Sequence, residues 1–382
     1  MRVAMSSFKF NHQGGIERAS YELARELGVL GDDVTLVANA VDPPVEPPLT
    51  WHPVPMPAIP GFMVPAVYPS RATRSLGTER FDILHNQGGC ALRRQDVITA
   101  HSCHRAWWAM KFRQGEAARA LLNPRHRAVL HVEKANYRPG AFARVIAVSA
   151  GVGRELTKYY NVPPERIRVI PNAVDVAKFQ RRDAAAQRAR IRNLHGIGSE
   201  DAVLLWVGKE FRRKGLEPLI AALPALPPSA KALVVGGDNQ APYRALAERL
   251  GVADRVIFAG HSTRVEDYFA AGDLFVFPTL YEAFALVTLE AAAAGLPLVT
   301  TKVNGTEDFV IDGQNGLFIE RSADSIAAAV TPLVTDPERR RRMSEAARDA
   351  VSGYTWASVA ARTRVVYHEV LAERAAAANE GQ

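Results

Sequence analysis

Glu282 and Glu290 stand eight residues apart in the stretch YEAFALVTLEAAAAGLP (281–297), either side of a short apolar turn. Eight residues are about 2.2 helical turns, so on one continuous helix the two carboxylates would share a side. The Ala-rich run predicts instead a helix that starts after Glu282 and carries Glu290. Its first turn would offer the N–H groups of Phe284, Ala285 and Leu286 together with a partial positive charge, which suits a phosphate. A carboxylate further along can hold two neighbouring hydroxyls. Phosphate beside paired hydroxyls is the pattern of a sugar nucleotide. A helix-start acid and half of a surface ion pair would account for the same residues without a ligand.

A second set of candidates lies in the loop VGKEFRRKG (207–215), between a predicted strand and a predicted helix. It would bring Lys209 and Lys214 to the strand's carboxyl end, where two cations could neutralise the growing charge of a diphosphate leaving group. Solvated surface lysines are the alternative. Gly14 and Gly15 close the loop after the first strand, where glycine admits a ligand close to the backbone or simply makes a tight turn. His101 follows the apolar run Val97–Ala100 at the working end of a predicted strand; a hydrogen-bonded structural histidine is the other reading. The cluster of His101, Cys103 and His104 has no usual zinc spacing. There is no Asp-x-Asp pair to hold a metal–diphosphate, no phosphate-binding GxxxxGK[ST] loop, no G-x-G-x-x-G after the first strand and no G-x-S-x-G elbow. No metal and no cofactor are therefore expected.

Apolar runs alternate with amphipathic helical stretches along nearly the whole chain, which predicts a parallel α/β architecture. Strands are predicted at Arg2–Ser6, Asp33–Ala38, Phe81–His85, Asp96–Ala100 and Arg144–Ser149. The rhythm restarts with Ala202–Gly208, Lys231–Gly236, Arg255–Phe258, Leu274–Phe277 and Leu296–Thr300. Asp42–Pro69 holds ten of the 24 prolines and reads as surface loop, not helix or central strand. A loop that long could shape an acceptor cleft or be a passive insertion. A polar helical stretch at Gln180–Arg188 separates the halves. The expected division is 1–174, 175–355 and 356–382, the last holding an amphipathic helix, Trp356–Ala372, that packs back on the first domain. Two doubly wound, Rossmann-like domains facing a cleft would place a ligand at the carboxyl ends of the strands.

With 382 residues the chain is longer than one hydrophobic core usually supports. It has no run of about 18 apolar residues, and its N-terminus turns polar too soon for a secretory signal. Cys90 and Cys103 are its only cysteines, so the cytosol is the expected compartment. The net charge of +7 is uneven: residues 1–170 carry 22 Lys/Arg against 14 Asp/Glu, the remainder 25 against 26. Arg105–Arg138 alone holds eight basic and two acidic residues. Such a patch fits a polyanion or is simply a solvated face.

Five motifs in order resemble glycosyltransferase family 4, the retaining sugar-nucleotide transferases of GT-B architecture. They are GGIER (14–18), VIPNAVD (169–175), the VG…RKG loop (207–215), the E-x7-E pair and VNGTE (303–307). The resemblance spans nearly the whole chain. It implies that the first domain binds the acceptor and the second the nucleotide-sugar donor. Lys214 takes the diphosphate-binding lysine position, and Lys209 stands where an arginine is more usual, which keeps charge but loses the bidentate fork. Glu290 would hold the ribose hydroxyls. Glu282, with the amides of Phe284, Ala285 and Leu286, would contact the transferred sugar and its phosphate. Gly15 would meet the donor phosphate, and His101 an outer sugar hydroxyl. Ala283 and Ala173 replace glycines common in the family, which puts local loop geometry in doubt. The implied chemistry is front-face substitution with retention, so no protein nucleophile is needed.

The stretches VGKEFRRKGLEPLIAAL and YEAFALVTLEAAAAGLPLVTT resemble the bacterial lipopolysaccharide core glucosyltransferases, which implies a UDP-hexose donor such as UDP-glucose and a cell-surface or lipid-linked acceptor. Trp107, Trp108, Met110, Phe112, Leu121 and Leu122 alternate with Lys111, Arg113, Arg119, Arg125 and Arg127. That mixture suits contact with an anionic membrane surface, or a packed helix with a basic exterior. A nucleotide-sugar epimerase would lack the E-x7-E pair, and a non-catalytic sugar binder would not need the lysine-bearing loop. No nucleic-acid recognition element accompanies the basic patch.

Overall fold

The computed structural model describes residues 1–380 apart from 12, 13, 43, 46, 89–91, 93, 94, 115–122 and 181. Cys90, Arg119, Leu121 and Leu122 therefore lie outside the described residues, as does the side chain of Arg113. The chain divides into two compact units, Met1–Ala173 with Trp356–Gln382, and Val174–Thr355. Val174 sits with the second unit, its N–H donating to the Tyr354 carbonyl at 3.0 Å.

In the first unit the strands are β1 (Arg2–Ser6), β2 (Lys9–Asn11), β3 (Asp33–Ala38), β4 (Ala40–Asp42), β5 (Leu49–Pro53), β6 (Ile83–Asn86), β7 (Val97–Ala100), β8 (Arg144–Ala147) and β9 (Ile167–Val169). Seven of them form a parallel sheet in the order β5-β3-β1-β6-β7-β8-β9, and β2 pairs with β4 separately. Val3, Met5, Val34, Leu36, Ile83 and Val97 are fully buried. A parallel sheet covered by helices on both faces has no solvent side, so its strands read as continuous apolar runs. The covering helices are α1 (Gly15–Val29), α2 (Val64–Leu76), α3 (His104–Arg113), α4 (Pro124–Asn136) and α5 (Ala150–Tyr160). The proline-rich stretch is more regular than its composition predicts. β5 is an edge strand, where proline is tolerated, and α2 starts inside the stretch. Pro65 occupies its first turn, where the N–H has no helical partner, and Pro69 removes one further ladder bond.

The second unit is built on β10 (Ala202–Val207), β11 (Ala230–Val235), β12 (Val256–Gly260), β13 (Leu274–Phe277), β14 (Leu298–Thr300) and β15 (Gly316–Phe318). All are parallel, in the order β12-β11-β10-β13-β14-β15. The direction of winding reverses between β10 and β13, and ligands of such sheets bind at the carboxyl ends beside that reversal. Its helices are α6 (Val176–Phe179), α7 (Ala184–Leu194), α8 (Leu216–Ala222), α9 (Ala241–Arg249), α10 (Val265–Ala271), α11 (Leu286–Ala294), α12 (Ala323–Thr335) and α13 (Pro337–Ala350). Leu204, Trp206, Leu219, Ile220, Leu274 and Val276 form its core.

The final helix, α14 (Trp356–Glu380), belongs to the first unit and runs eight residues beyond its predicted end at Ala372. It packs on α1, burying Ala360, Val366, Tyr367 and Val370 among Val3, Leu23 and Leu27. Glu369 accepts from Arg144 and Arg168, Glu373 pairs with Arg144, and Arg374 with Asp96. Among the described residues no helix is long and apolar enough to cross a membrane.

Candidate active site

The loop after β10 is pinned from inside. Phe211 is fully buried edge-on to Trp206, with ring centroids 5.1 Å apart, and its N–H donates to Asp238 at 2.9 Å. Trp206 Nε1 donates to the Lys214 carbonyl at 3.2 Å. Gly215 ends the loop at φ 80°, and a Cβ there would lie 2.0 Å from the Pro278 carbonyl oxygen. Only glycine lets this loop approach the one after β13 so closely.

That approach brings Glu282 against the basic loop. Its Oε1 accepts from Lys214 Nζ at 3.0 Å, Arg213 Nη1 at 2.9 Å and the Thr279 hydroxyl at 3.1 Å. Oε2 receives no donor from the described residues. Burial alone would raise the Glu282 pKa, but the charges of Lys214 and Arg213 outweigh it and hold the carboxyl below its ordinary value. Glu282 is thus ionised at neutral pH, with one oxygen saturated and the other open. Lys214 Nζ also stands 4.7 Å from the centre of the Phe277 ring, a cation–π contact that fixes its position.

α11 begins at Leu286, so Glu282 precedes the helix and Glu290 lies within it, partly buried. The backbone N–H groups of Phe284 and Ala285 donate to no described acceptor. Leu286 departs from expectation: its N–H donates to the Phe284 carbonyl at 2.9 Å, so two amides, not three, are open at this helix start. Lys209 follows β10. It is exposed and makes no ion pair among the described residues, standing apart from the Lys214–Glu282–Arg213 cluster. Arg213 and Thr279 were not singled out from the sequence. The run of adjacent basic residues at 212–214 was the available signal, but which of them turns inward depends on the loop's fold.

His101 and Gly15 belong to the first unit. Gly15 is the exposed first residue of α1, preceded by Gly14 at φ 93°. His101 follows β7 and shares a hydrogen-bond chain that the sequence did not reveal. Its Nε2 donates to Gln87 Oε1 at 3.2 Å, which leaves Nδ1 as an acceptor. Gln87 also contacts His85, whose Nδ1 meets the Tyr367 hydroxyl at 2.7 Å and whose Nε2 meets Thr99 Oγ1 at 2.8 Å. Burial pushes His101 down to about 4. Burial, and then His101, push His85 down to about 3. Both imidazoles are therefore neutral near pH 7. His101 borders a cavity of about 570 Å³, also lined by Phe62, Val64 and Pro65 of the proline-rich stretch.

Residues 13–178 match the sequence family Glycosyltransferase Family 4, and residues 187–350 match Glycosyl transferases group 1. The chain belongs to the GT-B glycosyltransferases of family 4. Among relatives of this glycosyltransferase, lipopolysaccharide glucosyltransferase WaaG of Escherichia coli is 30% identical over 247 residues, 63% of this chain and 66% of that protein. A D-inositol 3-phosphate glycosyltransferase of Xylanimonas cellulosilytica is 28% identical over 402 residues, 95% of this chain and 93% of that one. The matches to two other curated relatives are shorter, 59% of an uncharacterised glycosyltransferase of Methanocaldococcus jannaschii and 53% of the Acidothermus cellulolyticus D-inositol 3-phosphate glycosyltransferase. The crystal structure of WaaG superposes with a TM-score of 0.77 at 26% identity, over 94% of this chain and 98% of that one. Anabaena HepE in complex with UDP and glucose shares the fold, with a TM-score of 0.71 at 18% identity over 95% and 98% of the two chains.

Proposed function

We propose that this glycosyltransferase moves a hexose, with retention and without a metal ion, from a nucleotide sugar such as UDP-glucose to a bacterial cell-surface glycoconjugate or lipid-linked acceptor of the lipopolysaccharide core type. The observation that carries the reading is the convergence of Lys214 and Arg213 on one oxygen of Glu282, beside the open amides of Phe284 and Ala285. A leaving diphosphate bound there would meet positive charge and two N–H donors already held in place. The open Oε2 of Glu282 would accept a hydroxyl of the transferred sugar, and Glu290 the ribose hydroxyls. Lys209, free at the surface, would close on the diphosphate only when donor is bound. In the first unit, taken as acceptor-binding, neutral His101 would hydrogen-bond a sugar hydroxyl without bringing a charge, and the Gly15 amide would meet a phosphate.

In this reading the anomeric C–O bond to the diphosphate breaks as the acceptor oxygen bonds on the same face. The acceptor's proton passes to the departing phosphate oxygen, so the chain supplies position and charge, not a nucleophile. A panel of nucleotide sugars tests it: release of UDP from UDP-glucose, undiminished by EDTA, is expected. Abolition by the chelator with rescue by a divalent ion would contradict the metal-free mechanism.

Contact with an anionic membrane surface is part of the proposal, through the exposed cations around α3. Trp107 and Trp108 contribute less than their composition implied, because both are half-buried: Lys111 Nζ lies 4.2 Å from the Trp107 ring centre and the Arg105 guanidinium 5.2 Å from that of Trp108. Flotation with phosphatidylglycerol vesicles at low salt should retain the protein; indifference to lipid charge counts against it.

A further inference from the structure

Gln87 is the first residue after β6, and it is buried. Its backbone N–H donates to the Ser6 carbonyl at 2.8 Å, which ties it to the neighbouring strand β1. Its side chain fills the gap between two histidines. The amide nitrogen lies 3.3 and 3.2 Å from the two ring nitrogens of His85. Those nitrogens already meet Tyr367 and Thr99 at the ring's edge, at 2.7 and 2.8 Å. An atom equally near both nitrogens stands over the ring. An N–H on that electron-rich face is favourable, whereas a carbonyl oxygen there is not. The amide is thereby oriented with its nitrogen towards His85 and its oxygen towards His101, 3.2 Å from Nε2.

An amide oxygen can only accept. A neutral imidazole carries one N–H, and the partner of one ring nitrogen decides which nitrogen holds it. Gln87 therefore draws the His101 proton to Nε2. The same edge of the ring is packed against the chain: a Cβ on Gly88 would lie 3.0 Å from the Thr99 carbonyl oxygen and 4.0 Å from His101 Cδ2. Nδ1, on the other edge, keeps its lone pair, has no partner among the described residues and reaches solvent. His101 lines the cavity of about 570 Å³. We propose that Gln87 is a positioning residue for glycosyl transfer: it holds His101 as the Nε2–H tautomer, so that Nδ1 selects a sugar hydroxyl able to donate. The proposal rests on the reading of His101 as a contact of the transferred sugar. The opposite tautomer would offer an N–H, which any electronegative atom in the hydroxyl's place could accept.

Long-range 1H–15N spectra of the full chain labelled at histidine, with His101→Asn to assign the signal, read which ring nitrogen carries the proton. At pH 7.5 the wild type should show His101 as Nε2–H. Gln87→Met keeps the length of the side chain without its oxygen and should show the two tautomers mixed. A wild-type His101 protonated at Nδ1, or a Gln87→Met signal identical to wild type, overturns the proposal. Gln87→Glu puts an oxygen back and serves also if Gln87→Met does not fold. It should keep the Nε2–H form and titrate above wild type, because a carboxylate beside an imidazole favours its charged form; an unmoved titration counts against the contact. Turnover then separates positioning from a merely structural role. UDP-glucose analogues with one hydroxyl at a time replaced by fluorine, which cannot donate, are compared with UDP-glucose. At one position Gln87→Met should narrow the gap in kcat/KM by about 5-fold, the order of one neutral hydrogen bond, with the other positions as controls. A gap unchanged at every position, beside a shifted tautomer, would count against the His101 reading in the proposed function and leave the hold of Gln87 on the ring standing.

Discussion

The two units wind their sheets alike, each reversing beside its first strand, yet they treat the polar groups at the strand ends in opposite ways. In the second unit the groups are charged: ionised Glu282 is held by Lys214 and Arg213 within hydrogen-bond distance. In the first they are neutral: His85 and His101 are pushed down to about 3 and about 4, and the chain from Tyr367 through His85 and Gln87 to His101 carries no net charge. A site for a diphosphate needs fixed charge, whereas a site for sugar hydroxyls needs donors and acceptors in fixed directions. The contrast teaches that one fold supports either kind of site, depending on which side chains sit at the ends of its strands.

The contrast breaks most directly at the charged end. Lys214→Ala and Glu290→Ala should each lower kcat/KM for UDP-glucose by at least ~100-fold, about 2.7 kcal/mol of transition-state stabilisation. Near-normal rates in folded variants would remove the site from 207–215 and 282–290. Lys209→Ala should cost less, about 10-fold, because that side chain lies outside the ion-paired cluster; a loss as deep as that of Lys214→Ala would show that the two lysines act as a pair.

At the neutral end the effect is on stability. His85 titrates near 3 in the folded chain, below its ordinary 6.5, so between those values the unfolded chain binds a proton that the folded one refuses. The stability contributed by neutral His85 is whole above pH 6.5 and is lost as pH falls towards 3. Calorimetric melts should therefore show a lower transition at pH 4.5 than at pH 7.5, and His85→Asn should flatten that dependence. An unchanged slope in the variant would assign the acid sensitivity elsewhere. The smallest effect is expected of Tyr367→Phe, which removes one hydrogen bond to His85 and should lower stability by about 1 kcal/mol in urea unfolding, with UDP binding intact.

Much of this was legible before the structure. β1, β3 and β13 coincide end to end with apolar runs, because buried parallel strands carry their signal in every residue. The helix start between Glu282 and Glu290 was legible in the Ala-rich run, since a helix start is a local property. Partners set by tertiary contact were not. Arg213 reaches Glu282 from a loop 69 residues away in sequence, and no periodicity records which neighbour of Lys214 faces inward; Thr279 is only three residues from Glu282, but its contact depends on how their shared loop turns. His85 reads as one polar residue in an apolar strand, and its partner Tyr367 lies 282 residues further on. The open-amide reading failed at Leu286 because a tight turn back to Phe284 consumes its N–H, a detail of dihedral angles rather than of residue type. α2 was missed because ten prolines outweighed the helical spacing of Tyr68 and Ala72, the two residues that it buries.

The placement of α14 has a consequence for how the molecule is made. The chain leaves the first unit at Ala173 and returns to it only at Trp356, so the ribosome delivers the whole second unit before the final piece of the first. Until then the nascent first unit exposes the apolar face of α1 and lacks the phenol that caps His85. The second unit is contiguous, Val174–Thr355, and needs nothing made after it to close its own core. The apolar side of α1, by contrast, is covered only once the last helix has been made.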